Sequence, residues 1–153
     1  MDLKRFLLVE DDPQDVELTL SALTEHNLAN EVVVVHDGVE ALDYLFRSGT
    51  FADRVDSNPV VILLDLKMPR LDGIEVLRKI KSDATLKMIP VVILTSSRES
   101  KDLDECYKLG TNAYVVKPVR FPEFVEAVKQ LAVFWVMVNE PPPGASRGHV
   151  KVG

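Results

Sequence analysis

A single cysteine, Cys106, is the only thiol in this chain of 153 residues. One thiol cannot close an internal disulfide, and its scarcity suits a reducing cytosol. Cys106 itself reads as a small residue half-buried on a helix rather than a reactive thiol. Long apolar runs are missing too. In the opening stretch MDLKRFLLVEDD, only Phe6 to Val9 are continuously apolar, too few for the core of a secretory signal. Nothing approaches the roughly 18 apolar residues of a membrane span. The expectation is a soluble, cytoplasmic protein. No basic stripe stands out and the formal net charge is −6, which argues against nucleic acid as the main partner. A glycine-rich phosphate loop, an internal repeat and a low-complexity segment before residue 140 are also lacking.

With 46% hydrophobic and 27% charged residues, the chain has the composition of one globular domain with a real core. Short apolar runs alternate with helical patterns. Phe6 to Val9 comes first, then a helix from about Asp12 to His26 with Val16, Leu20 and Leu23 on one face. Asp12 is placed to cap it, and Pro13 sits where a first-turn proline is tolerated. Val32 to Val35 precedes a helix near Gly38 to Phe46. A polar stretch, Arg47 to Pro59, separates this from Val60 to Leu64. That third run is uninterrupted, as expected of a central parallel strand covered on both faces. Ile74, Leu77 and Ile80 then mark a helix. Val91 to Leu94 follows, then a helix ending near Leu109 with Gly110 just past it, and then Tyr114 to Val116. A last helix starts around Pro122. The alternation predicts an α/β fold, a (βα)5 doubly wound parallel sheet in the flavodoxin-like order 2-1-3-4-5.

Such a sheet builds its site at the carboxyl ends of its strands. There the chain places Glu10-Asp11-Asp12, Asp65, Thr95 and Lys117-Pro118. Clustered carboxylates need a cation to stay ionised together, and Lys117 offsets only part of their charge. A hard divalent ion with oxygen ligands, Mg²⁺, fits the remainder. Each residue alone has a plainer reading: Asp12 or Asp65 as a helix cap, Thr95 as a turn residue, Lys117 as a surface lysine. The joint placement at successive strand ends favours a site for a small phosphoryl group.

LLVEDD at 7–12, VVILLDLKMPRLDG at 60–73, VVILTSS at 91–97 and YVVKP at 114–118 together resemble the receiver (CheY-like) domains of two-component response regulators. The resemblance runs to about residue 134 and implies a role for each matching position. Asp65 is the phosphoacceptor, taking the group from a phosphohistidine. Asp11 is a direct Mg²⁺ ligand, Glu10 acts through water, and the Lys67 backbone carbonyl completes the set. Thr95 is the switch hydroxyl, Lys117 the site lysine, and Tyr114 the aromatic switch. The Lys117–Pro118 bond is where the family carries a cis peptide. Two departures stand out: the long Arg47–Pro59 segment, and the residues flanking the path of the hydrolytic water, Lys67 and Ser97.

No output domain is expected after the receiver, which is read as residues 1–138 with a Pro-rich flexible tail over 139–153. Phe124, Val128, Leu131, Trp135 and Val138 share one face of the last helix, leaving Val133, Phe134 and Met137 on others. A helix apolar all round needs a second partner, here a homodimer through Phe134, Trp135, Met137 and Val138. The FW…NEPPP ending, with the long segment before the third strand, resembles stand-alone phytochrome-associated response regulators. That implies a bacteriophytochrome-type sensor histidine kinase as partner; the short apolar runs predict no membrane contact, and no enzymatic turnover is expected. The competing readings are a phosphate-independent pseudo-receiver and a phosphatase resembling the haloacid dehalogenases.

Overall fold

The computed structural model describes residues 5–25, 31–96, 100–117, 122 and 126. The regular elements are β1 (Arg5–Val9), α1 (Pro13–Glu25), β2 (Glu31–Val35), α2 (Gly38–Phe46), β3 (Val61–Leu64), α3 (Gly73–Ser82), β4 (Val91–Thr95), α4 (Ser100–Lys108) and β5 (Ala113–Val116). Pro122 and Glu126 are helical, where the last helix was expected. The expected interface residues Phe134, Trp135, Met137 and Val138, together with Ser97, Pro118 and the tail, lie outside the described residues.

All neighbouring strands pair in parallel, in the order β2-β1-β3-β4-β5. The uninterrupted apolar runs conceal a period of two. Leu7, Val9, Ile62, Leu64, Val91 and Ile93 pack on the side of α2, α3 and α4, with Leu45, Leu77 and Cys106. Their neighbours Phe6, Leu8, Val61, Leu63, Val92 and Leu94 pack on the other side with Ala22 and Leu23 of α1. Every residue of β1, β3 and β4 is buried, whereas the outer strands β2 and β5 are only partly so. Glu10, Asp65 and Thr95 are thus presented by the fully buried strands, and Lys117 follows the edge strand β5.

Some expectations shift. The inward face of α3 is Val76, Leu77 and Ile80, with Ile74 only half-buried. Cys106 is fully buried rather than half-buried, and burial pushes its thiol up to about 11, which leaves it inert at neutral pH. The polar Arg47–Pro59 stretch is an ordered structure held by the guanidinium groups of Arg5, Arg47 and above all Arg54. Arg54 donates to the Tyr44 carbonyl at 2.9 Å, to Asp56 Oδ1 at 2.8 Å and to Asn58 Oδ1 at 3.0 Å. It also lies 4.1 Å over the Tyr44 ring, a cation–π contact. Arg47, just past α2, adopts a left-handed φ of 55° to end that helix.

The loop after β3 is held from two directions. Asp72 caps α3 by accepting the Glu75 N–H at 3.0 Å. Arg70, at a left-handed φ of 69°, donates to both carboxylate oxygens of Asp37, at 2.9 and 3.0 Å. Asp37 caps α2 in turn, accepting the Glu40 N–H at 2.8 Å. Burial alone would raise the Asp37 carboxyl, but the Glu40 N–H and Arg70 hold it below its ordinary value. Gly73 is required at the start of α3, because a Cβ there would sit 2.2 Å from the Asp65 carbonyl oxygen. Gly73→Ala should therefore displace the Asp65 loop and cost about 1–3 kcal/mol, read as a lower urea midpoint at unchanged m-value.

Candidate functional site

The hydrogen-bond ladder runs one residue past the strands and fixes the backbones that matter. The Glu10 N–H donates to the Val35 carbonyl at 3.0 Å, the Asp65 N–H to the Val9 carbonyl at 3.1 Å, and the Lys117 N–H to the Thr95 carbonyl at 2.7 Å. Glu10 and Asp65 are thus presented from rigid strand ends, both buried, beside an exposed Asp11. One carboxylate oxygen from each of the three lies within 4.8 Å of the others.

The Lys117 ammonium is the counter-charge. Its Nζ lies 2.6 Å from Glu10 Oε1, 2.8 Å from Asp15 Oδ2 and 3.4 Å from Asp65 Oδ2. Burial alone would lower the Lys117 ammonium, but hydrogen bonds to Asp15 and Glu10 and the charge of Asp65 hold it well above its ordinary value. Burial pushes Glu10 up to about 7, aided by the charge of Asp65 and opposed by Lys117. Asp11, Glu10, Asp15 and Asp65 together outnumber the single ammonium, so the cluster retains excess negative charge when ionised. Closely spaced carboxylate oxygens carrying that excess form a donor set for a hard divalent cation.

The remaining expected residues fall around this cluster. Thr95 ends β4, fully buried, and its place in the strand's period of two sets it on the face of Ile93, toward α4. Tyr114 pairs with Ile93 across the β4–β5 ladder and packs on that same face. Its ring lies 6.5 Å from that of Tyr107 on α4. The Lys67 N–H approaches Asp65 Oδ1 at 3.4 Å, while its side chain reaches to 3.5 Å from the buried Asp102 of α4. Asp12 caps α1, its Oδ1 accepting the Gln14 N–H at 2.8 Å, and its own N–H donates to Glu10 Oε2 at 3.2 Å. The structure therefore unites Glu10, Asp11, Asp65 and Lys117, and sets Thr95 and Tyr114 on one flank. Sequence reasoning missed Asp15. An acid in a first helical turn ordinarily reads as a complement to the helix dipole, and no local signal marks it as a partner of Lys117.

Residues 6–129 match the model of the response regulator receiver domain, and the chain belongs to that family of two-component signalling proteins. Response regulator Rcp1 of Synechocystis sp. is 35% identical over 133 residues, covering 87% of this chain and 89% of that protein. Among solved structures, the bacteriophytochrome response regulator RtBRR is 57% identical with a TM-score of 0.79, covering 94% of this chain and 86% of that one. The phosphorylated cyanobacterial phytochrome response regulator RcpA is 41% identical with a TM-score of 0.76, covering 92% and 99%. Rcp1 in an Mn²⁺-bound form also superposes with a TM-score of 0.76, at 34% identity over 91% and 99% of the two chains. Close relatives are thus stand-alone, phytochrome-associated response regulators. No helix among the described residues is long and apolar enough to cross a membrane.

The raised Glu10 carboxyl has a consequence for stability. A folded-state value above the unfolded one means the native protein binds the extra proton, so stability is full below the ordinary value of 4.5 and declines as pH rises through about 7. Cation-free protein should lose urea resistance between those limits. Glu10→Gln, which cannot ionise, should flatten that slope.

Proposed function

We propose that this protein, in the cytoplasm, accepts a phosphoryl group on Asp65 from a sensor histidine kinase of the bacteriophytochrome type. It then switches protein contacts and turns over no substrate of its own. The observation that carries this reading is the Asp65 carboxylate, buried at a strand end between the Glu10–Asp11 pair and the Lys117 ammonium. The likeness to RtBRR and RcpA supports the choice of kinase class.

Glu10, Asp11 and Asp65, with the Lys67 backbone carbonyl, would hold Mg²⁺, a reading supported by the carboxylate cluster and by the Mn²⁺-bound form of Rcp1. When bound, the ion supplies positive charge beside the transferring oxygens. An Asp65 carboxylate oxygen forms its bond to phosphorus as the bond from phosphorus to the donor histidine nitrogen breaks. The electron pair of the broken bond stays on that nitrogen. Lys117 offsets charge on the transferring oxygens, and the site is preorganised because Glu10 and Asp65 are fixed by the strand ladder. The Thr95 hydroxyl then bonds a phosphoryl oxygen. Because Thr95 and Tyr114 share the face toward α4, that bond biases Tyr114 and the surface around it between two packings.

A phosphatase of the haloacid dehalogenase kind places a second acid two residues after its nucleophile. Here that position is Lys67, whose side chain is paired with Asp102. The homodimer reading rests on the apolar run of Phe134, Trp135, Met137 and Val138 in the sequence.

Acetyl phosphate with Mg²⁺ should add one phosphoryl group to the wild type and none to Asp65→Asn, as read by intact mass. Equal labelling of the variant would remove Asp65 from its role. Sedimentation of the wild type should give a dimer, and Trp135→Asp should shift it to the monomer.

A further inference from the structure

The ammonium of Lys117 has three N–H donors, and three carboxylates surround it at unequal distances. Glu10 and Asp15 take it at 2.6 and 2.8 Å, while Asp65 stands off at 3.4 Å. Asp15 belongs to neither the phosphoacceptor nor the carboxylate group that could hold a cation. It sits in the first turn of α1, whose start is fixed by the Asp12 cap. It therefore presents its carboxylate from a rigid helix and cannot travel far with the lysine.

A phosphoryl group on Asp65 adds anionic oxygens that need this same ammonium. Every increment of Lys117 held by Asp15 is withheld from that group. We propose that Asp15 is a positioning residue that holds the Lys117 ammonium toward α1 and so keeps the affinity of the site for a phosphoryl anion low. The inference rests on the reading of Asp65 as phosphoacceptor and names the residue that sets its resting bias. The plain alternative, an acid that only complements the helix dipole, would alter stability and leave anion affinity alone.

Calorimetric titration with beryllofluoride, a phosphoryl mimic, at saturating Mg²⁺ separates these cases. Asp15→Asn should bind about fivefold tighter than wild type, the size of one partly exposed ion pair. Asp15→Glu, which restores the charge, should return most of the wild-type affinity. Labelling by acetyl phosphate should reach half its maximal rate at a lower acetyl phosphate concentration in Asp15→Asn. In a Lys117→Met background the effect of Asp15→Asn should fall below about twofold, since the coupling runs through the ammonium. A second measurement covers loss of all binding in that background. The Lys117 Cε resonance of anion-free Asp15→Asn should move toward its position in the beryllofluoride complex of the wild type. Unchanged or weaker affinity in Asp15→Asn, a gain that persists without Lys117, or a resonance that stays in place would each overturn the proposal. A wild type that binds no beryllofluoride at all would instead overturn the assignment of Asp65, and this inference with it.

Discussion

The Lys117 ammonium, shared among Glu10, Asp15 and Asp65, is the interaction on which the functional end of this molecule depends. Carboxylates brought this close repel one another, and burial raises the cost of ionising them. Glu10 shows that cost directly, in a carboxyl pushed up to about 7. The lysine makes the arrangement tolerable without neutralising it. Residual negative charge is what a divalent cation answers, and a short supply of positive charge is what an incoming phosphoryl group would redistribute. A fully compensated cluster would have no reason to change when phosphate arrives.

The fold is arranged to hold that imbalance rigidly. Glu10 and Asp65 follow strands buried along their whole length and are fixed by one further backbone hydrogen bond each. The loop after β3 is pinned by Gly73 against the Asp65 carbonyl and by Arg70 to the cap of α2. Far along the chain, Arg54 gathers Tyr44, Asp56 and Asn58 and gives the polar segment before β3 a defined path. Rigidity on this side contrasts with the flank of Thr95 and Tyr114. There the aromatic ring is only half-buried beside the exposed Tyr107, so a different packing costs less.

Much of this was legible in the residues. The apolar runs marked the strands, and their alternation with helical patterns pointed to the parallel order that the sheet adopts. The motifs around Glu10–Asp11, Asp65, Thr95 and Lys117 marked the site, because each is a local pattern tied to a strand end. The inward face of α3 was less legible. Ile74, Val76, Leu77 and Ile80 are all apolar, and only the position of the sheet decides that Val76 turns in while Ile74 stays at the margin. Arg54 and the burial of Cys106 were hidden for the same reason, since a side chain's environment is set by what the rest of the chain brings to it.

The sequence by itself determined the class of fold, the family and the residues that meet at the strand ends, through periodicities and motifs that act over a few residues. Tertiary structure alone decided how the charges are shared. Asp15 and Lys117 stand 102 positions apart, and nothing local to either names the other. Their separation of 2.8 Å follows from the parallel sheet, which sets the carboxyl ends of β1 and β5 along one edge, and from the cap that sets the first turn of α1. Coulomb interactions depend on distance in space, which the chain acquires only when it folds.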